Sequence, residues 1–391
     1  MTDLNLNPVI DRYDLKTAMH PLWEGDTVYN ESVMFLGKND VARLTFEPEK
    51  VLSVRSQDLK TEYEEGRDYI FRDGKITLTG DTRITFIPEE LYYSHNKESD
   101  IVLEAMKDGE RREIFYSESI WKYQVFVTYT HTKDRKLFIP PDESTSFTRL
   151  RGKFERGEDV TLFFFGDSIT HGASTSGFFR SEPFTPIYPV MVADNLAKKY
   201  GYTVNYIESG LNGTPPLPKT PAVFGDRGTL TFINTAVGGW QIIQAIDCYD
   251  TYIRPFIDKY GCDFFLLAFG MNDGFRTADE ERNLYSKAID LIYAQKPDVE
   301  LLLVSTMLPN NDIVNGWFAN QGLFEPVLYE LSENYRALGR SIAVAPVTSM
   351  SRRLLETKRF RDYTGNNVNH PNDFMARVYA QVVFKAIEGG N

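Results

Sequence analysis

The feature that most constrains this chain is a change of texture at Val160. From there on, short continuous apolar runs alternate with longer stretches of helical periodicity. Strands apolar on both sides belong to a parallel sheet covered by helices on each face. The runs are VTLFFF at 160–165, LTFINTAV at 230–237, FFLLAF at 264–269, ELLLVS at 300–305 and IAVAPV at 342–347. The spacing between them predicts helices over 188–200, 242–259, 280–295 and 326–338. A last helix follows Pro371, with Asp373 as its N-cap and Met375, Val378, Tyr379, Val382 and Val383 on its apolar face. This is the pattern of a doubly wound, three-layer α/β/α domain.

Residues 32–131 read differently, as short runs of period-2 alternation bounded by turn signals. VARLTF (41–46), KVLSVRS (50–56), DYIF (68–71), KITLTG (75–80), RITFIP (83–88) and YQVFVTYTH (123–131) are the strand candidates. Asp73-Gly74 and Gly80-Asp81 sit where hairpins need residues tolerant of positive φ. Many short strands at this spacing predict a jelly-roll-like β-sandwich. The polar, weakly periodic stretch 132–159 reads as the linker, which divides the chain into a β-sandwich over 1–140 and an α/β domain over 141–391.

Composition narrows the function classes. Hydrophobic residues at 42% and charged residues at 25% are those of an ordinary folded protein with a large core. Lys and Arg number 43 against 55 Asp and Glu, a net charge of −12, so there is no basic excess to displace counterions from nucleic acid. No apolar run nears the roughly 20 residues that span a bilayer, so an integral membrane protein is not expected. The opening MTDLNLNPVIDRYD has no basic-then-apolar run, and a cytoplasmic location is the expectation. The two cysteines, Cys248 and Cys262, read as reduced thiols on a helix and its exit.

In an open parallel sheet, ligands bind beyond the carboxyl ends of the strands, so the residues that follow each strand are the informative ones. The first strand leads into Gly166-Asp167-Ser168-Ile169-Thr170-His171-Gly172, and the second into Asn234-Thr235-Ala236-Val237-Gly238-Gly239. Gly270-Met271-Asn272-Asp273 follows the third, and Val368-Asn369-His370-Pro371 precedes the last helix. A serine at a strand-to-helix turn holds its hydroxyl in the cleft, and a neutral imidazole can take its proton. The Ser168 amide at a helix start, the Gly239 amide and the Asn272 side chain can all donate to a developing oxyanion. Each has a plain structural reading as a cap or turn residue; only their joint occurrence points to chemistry. His171, three residues after Ser168, is the rival base. Only His171 and His370 of the five histidines lie in this domain, which excludes a three-histidine metal site there, and no cofactor is implied.

These four pieces, over about residues 158–391, resemble the four blocks of the SGNH (GDSL-type) hydrolases. The resemblance implies Ser168 as nucleophile, Ser168, Gly239 and Asn272 as the oxyanion hole, and His370 as base. It departs at one place. The family's aspartate three positions before the histidine is here Asn367, which can accept from the imidazole Nδ1–H but brings no charge. The favoured reading is a Ser168–His370 dyad with Asn367 or a backbone carbonyl orienting the ring; Asp362 is the carboxylate alternative.

A β domain ahead of an SGNH domain that lacks this aspartate is similar in layout to carbohydrate esterase family 2. That similarity implies a serine esterase acting through an acyl-enzyme on small acyl esters, foremost O-acetyl groups on carbohydrates. The expected partner is an acetylated oligosaccharide, with Trp240 beside the cleft as a sugar contact. The oligomeric state is open. A lipase, thioesterase or arylesterase of the same fold, or an inactive carbohydrate-binding protein, are the alternatives. A nucleotide-binding protein is disfavoured because neither a P-loop nor a dinucleotide fingerprint follows the first strand.

Overall fold

The computed structural model describes residues 14–118, 120–132 and 138–389. The opening stretch 1–13, read for a leader, and residues 133–137 of the expected linker lie outside the described residues. At the centre is a seven-stranded sheet in the order Ala222–Val223, Thr203–Ile207, Thr229–Asn234, Val160–Gly166, Phe264–Ala268, Glu300–Val304, Ile342–Ala345. All neighbours run parallel except the short Ala222–Val223 edge piece. Strand alternation sorts the aromatic run of the first strand into two layers. Leu162 and Phe164 pack with the helices Tyr188–Tyr200 and Asp373–Glu388. Phe163 and Phe165 pack on the opposite face with Ala278–Gln295 and Phe324–Ala337. This is the covered parallel sheet of a three-layer α/β/α domain that the apolar runs predict.

Several elements differ from the sequence reading. The strand Thr203–Ile207 was not expected, since Val204 alone of its five residues is buried and no apolar run marks it. The predicted helix over 242–259 is three pieces, Gln244–Asp247, Tyr249–Tyr252 and Arg254–Tyr260. Pro255 near the start of the last piece suits the first turn of a new helix, not the interior of a long one. The N-cap of the last helix is Asn372, whose side chain accepts from Met375 N at 3.0 Å. Asp373 is the first helical residue, and its carboxylate accepts from the Ser176 amide and hydroxyl instead. Within the expected linker, Thr148–Arg156 is a helix that buries Leu150 and Phe154, while Phe147 before it is buried too.

The N-terminal part carries a four-stranded antiparallel sheet in the order Thr27–Met34, Gln124–His131, Pro48–Ser56, Glu62–Tyr63. Two separate hairpins accompany it, Tyr69–Arg72 with Lys75–Leu78 and Leu103–Lys107 with Glu110–Ile114. VARLTF and RITFIP contribute isolated bridges through Val41 and Ile87. Among the described residues no second large sheet closes this part into the expected sandwich. The apolar side of the four-stranded sheet, with Val33, Val54, Val125 and Val127, joins the same core layer as Phe374 and Val378 of the last helix. Among the described residues no helix is long and apolar enough to cross a membrane.

Polar contacts weld the two parts together. Gln124 Nε2 donates to the carbonyls of Arg361 and Thr364 at 2.9 and 2.8 Å, and Met34 N donates to Asp362 Oδ1 at 2.9 Å. Asn372 Nδ2 reaches Ser32 Oγ and Gln124 Oε1, each at 2.9 Å. Lys358 Nζ lies 2.7 Å from Glu31 Oε1, with both side chains fully buried, and also donates to the Ser32 carbonyl. Glu31 is further held by Thr45 and the Tyr129 hydroxyl. Removing one member of such a pair strands the other charge in the interior, at a cost of about 3–5 kcal/mol. Lys358→Met is therefore expected to lower unfolding stability by about that amount in urea titration; a loss within the error of the titration would show that the pair contributes nothing net.

Candidate active site

The strands Thr229–Asn234, Val160–Gly166 and Phe264–Ala268 are adjacent and in parallel register, so their carboxyl ends open at one level. The chain leaves Val160–Gly166 toward Thr203–Ile207 on one side of the sheet but leaves Phe264–Ala268 toward Glu300–Val304 on the other, so a crevice opens between their carboxyl ends. A Cβ on Gly166 would lie 2.4 Å from the Ala268 carbonyl oxygen, so only glycine lets the neighbouring strand ends approach this closely. Asp167 then caps a one-turn helix, Ser168–His171, by accepting from Ile169 N at 2.9 Å. Gly172 ends that turn at φ 100°, where a Cβ would meet the Ile187 side chain. Ser168 is thus pinned between two glycines, its amide in a first helical turn where N–H groups have no helical partner.

Ser168 Oγ lies 3.0 Å from His370 Nε2. Both line a cavity of about 270 Å³ together with Gly238, Gly239, Asn272 and Trp317. Gly239 takes a left-handed turn at φ 78°, and neither its amide nor that of Gly238 has an acceptor among the described residues. Asn272 is oriented by one hydrogen bond, Nδ2 to the Trp240 carbonyl at 2.9 Å. Asn234 ties the second strand to the Ser168 turn, donating to the Thr170 carbonyl at 3.0 Å and accepting from Ala236 N. Burial, helped by the nearby Asp273 charge, pushes the Asp167 carboxyl up to about 7. Burial likewise raises Asp273, to about 6, although Arg276 and the Ile242 amide oppose it.

The remaining sequence candidates fall elsewhere. His171 lines the same cavity but stands edge-on to Phe178, and burial lowers its pKa; it makes no hydrogen bond to Ser168. The Trp240 indole, partly buried, packs edge-on against Phe165 and Tyr252 at the border of the core, and its backbone carbonyl accepts from Asn272. Trp317, 41% exposed, is the indole at the cavity. Asn367 does not orient His370. At φ 68° its side chain turns away, accepting from the Tyr92 hydroxyl at 3.3 Å and donating to the Phe115 carbonyl. Asp362 is fully buried against Arg359 and the Met34 amide, and no carboxylate oxygen of it reaches the imidazole.

The Nδ1 side of His370 faces three groups that the sequence blocks did not mark. Asn366 Nδ2 is 3.0 Å away, Ser174 Oγ 3.3 Å, and the Glu118 carboxylate 3.3 and 3.4 Å. Glu118 also accepts from the Tyr116 hydroxyl at 3.1 Å, from Asn366 Nδ2 at 3.2 Å and from the Ser174 hydroxyl. Burial would raise its carboxyl, but the hydrogen bond and charge of His370, with the Ser174 and Asn366 donors, outweigh it and hold the group at about 2. Ser174 sits at φ 66°, and Gly365 packs against its Cβ so closely that any side chain at 365 would collide. No spacing rule could have found Glu118, which lies 252 residues from His370. Because Asn367 touches neither Ser168 nor His370, Asn367→Gly, which suits the left-handed backbone, is expected to leave turnover within a few-fold of wild type. A collapse of kcat in that variant, with the fold intact, would return Asn367 to the machinery.

Residues 164–378 match the model of the GDSL-like lipase/acylhydrolase family. Among curated protein sequences none matches this one. Solved structures with a similar course of chain include a two-domain esterase active on acetylated mannans, co-crystallised with mannopentaose (18% identity, TM-score 0.44). That match covers 62% of this chain and 53% of the other, so the chain spans about half of that esterase. A carbohydrate esterase family 3 protein from Talaromyces cellulolyticus is similar at 15% identity and TM-score 0.40, over 57% of this chain and 94% of its own. A family 3 carbohydrate esterase from Clostridium thermocellum is similar at 16% and 0.38, over 59% and 95%. With the family match spanning more than half of the sequence, the chain belongs to the GDSL-like lipase/acylhydrolase family.

Proposed function

We propose that the protein is a serine esterase that cleaves small acyl esters through an acyl-enzyme, with O-acetyl groups on carbohydrates as its substrate class. The observation that carries this reading is the 3.0 Å contact of Ser168 Oγ with His370 Nε2 inside a cavity lined by free glycine amides and Asn272. His370 Nε2 takes the Ser168 proton as Oγ attacks the ester carbonyl. The oxyanion that forms is met by the Ser168 and Gly239 amides and by the second Asn272 Nδ2 proton, the first being held by the Trp240 carbonyl. The imidazolium then gives its proton to the leaving alkoxide, and the steps repeat with water attacking the acyl-serine.

The size of the cavity supports a short acyl group. At about 270 Å³ it lies below the range of roughly 300–1,000 Å³ common for drug-sized ligands, and Ala173, Leu103 and Val368 line it. A sugar on the alcohol side is supported by Trp317, whose partly exposed indole lines the cavity. A few exposed apolar side chains nearby, Ile101 in the cavity wall and Val102 beside it, are what a longer acyl chain would use.

The test is a panel of p-nitrophenyl acetate, butyrate and octanoate beside acetylated xylo- and manno-oligosaccharides. Acetate should be turned over fastest among the aryl esters, acetate should be released from at least one oligosaccharide, and EDTA should leave the rates unchanged. Ser168→Ala and His370→Ala should each lower kcat by about 10⁴-fold or more, without adding in the double variant. Octanoate preferred over acetate would move the reading to a lipase, and an active Ser168→Ala would end the serine mechanism.

A further inference from the structure

We propose that Glu118, delivered by the N-terminal part, is the positioning residue that fixes the tautomer of His370 and so completes the site. This rests on the esterase reading for its consequence, but not for its geometry. A ring that is to accept the Ser168 proton at Nε2 must already hold its own proton at Nδ1. The alternative tautomer would aim an N–H at Ser168 Oγ and could not act as base.

The hydrogen-bond inventory around Nδ1 favours the first. The Asn366 side-chain oxygen accepts from the amides of Val368, Asn369 and His370 at 3.0, 3.0 and 3.1 Å, which fixes its other end as the NH₂ donor. That NH₂ has two protons and lies 3.0 Å from Asn369 Oδ1, 3.2 Å from Glu118 Oε1 and 3.0 Å from His370 Nδ1; the two oxygens, one of them on a carboxylate, are the favoured acceptors. The single Ser174 hydroxyl proton is donated to Glu118 Oε2. With those protons spent on oxygens, Nδ1 is left to donate, and the charged acceptor in reach is Glu118 at 3.3 and 3.4 Å. Asn366 and Ser174 thus hold the carboxylate, and the carboxylate holds the ring.

The other ionisable groups about the ring are accounted for. Tyr116 donates to Glu118 and its own ionisation is raised by burial and by that carboxylate. Asp167, on the nucleophile turn, has a carboxyl raised by burial and linked to His370 through charge. His171 acts on His370 only through charge, from the cavity wall. None of the three makes a hydrogen bond to Nδ1 among the described residues. The N-terminal part is therefore not an appendage to the catalytic fold: one residue of it stands where the family's block carries aspartate.

The deciding measurement is ¹⁵N NMR of the imidazoles in the full chain, with His370 assigned among the five histidines by difference from His370→Ala. Wild type should show His370 protonated at Nδ1 at neutral pH, and Glu118→Gln should move the proton toward Nε2. In the same variant kcat on p-nitrophenyl acetate should fall by about 10³- to 10⁴-fold with little change in KM, the size expected for a lost triad carboxylate. Glu118→Ala removes the charge that favours imidazolium. Neutral imidazole then survives to lower pH, and the acidic limb of its residual kcat/KM should shift downward. A purely structural Glu118 would move neither the tautomer nor the limb. An Nε2–H tautomer in wild type, or Glu118 variants with wild-type tautomer and an unmoved limb, would overturn the proposal. If wild type turned over no ester at all, the esterase reading would fail while the tautomer measurement still decided the role of Glu118.

Discussion

The site depends on the common level at which three parallel strands end. Val160–Gly166 is paired on one side with Thr229–Asn234 and on the other with Phe264–Ala268, and hydrogen-bond register leaves the three no freedom to slide. Each strand is followed by a turn that presents an amide, a hydroxyl or a carboxamide to the same cavity. Buried strands cannot shift by one residue without turning their apolar side chains to the wrong layer, so the register that builds the core also sets the spacing of Ser168, Gly239 and Asn272.

His370 reaches the same cavity by another route. It sits on the loop before the last helix, and that loop is held by the N-terminal part as much as by its own domain. Gln124 takes the Thr364 carbonyl, Asn372 bonds both Ser32 and Gln124, and Tyr92 holds Asn367. The buried Lys358–Glu31 pair anchors the segment just upstream. An imidazole placed within 3.0 Å of a hydroxyl demands such a rigid support, because a loop free to move by an ångström would lose the alignment.

The difference between Asn366 and Asn367 is conformational. Asn367 stands at the block position where the family has aspartate, yet its left-handed backbone at φ 68° reverses the local direction of the side chains. Asn366, one residue earlier, thereby faces the ring, while Asn367 is directed to Tyr92 and Phe115. Counting along the chain cannot see such a reversal. Trp240 and Trp317 show the same principle: the indole next to a block glycine packs against the core, whereas the indole at the cavity comes from a loop without any motif.

What the sequence by itself determined is whatever rests on local periodicity and on residues that follow their own strand. The apolar runs after Val160 specify a covered parallel sheet, and Ser168, Gly239, Asn272 and His370 are legible because each sits at a fixed offset from an element the pattern reveals. In the N-terminal part the runs at 50–56, 68–71, 75–80 and 123–131 were legible as strands, whereas Thr27–Met34 and the hairpin Leu103–Lys107 with Glu110–Ile114 were not. The closure of this part on the last helix, where a second sheet was expected, is set by which apolar face each side offers. What only the tertiary structure decided is which group faces Nδ1 of His370. A carboxylate has no periodicity, and Glu118 is one acidic residue among 55 until folding sets it against Nδ1 of a histidine 252 residues away.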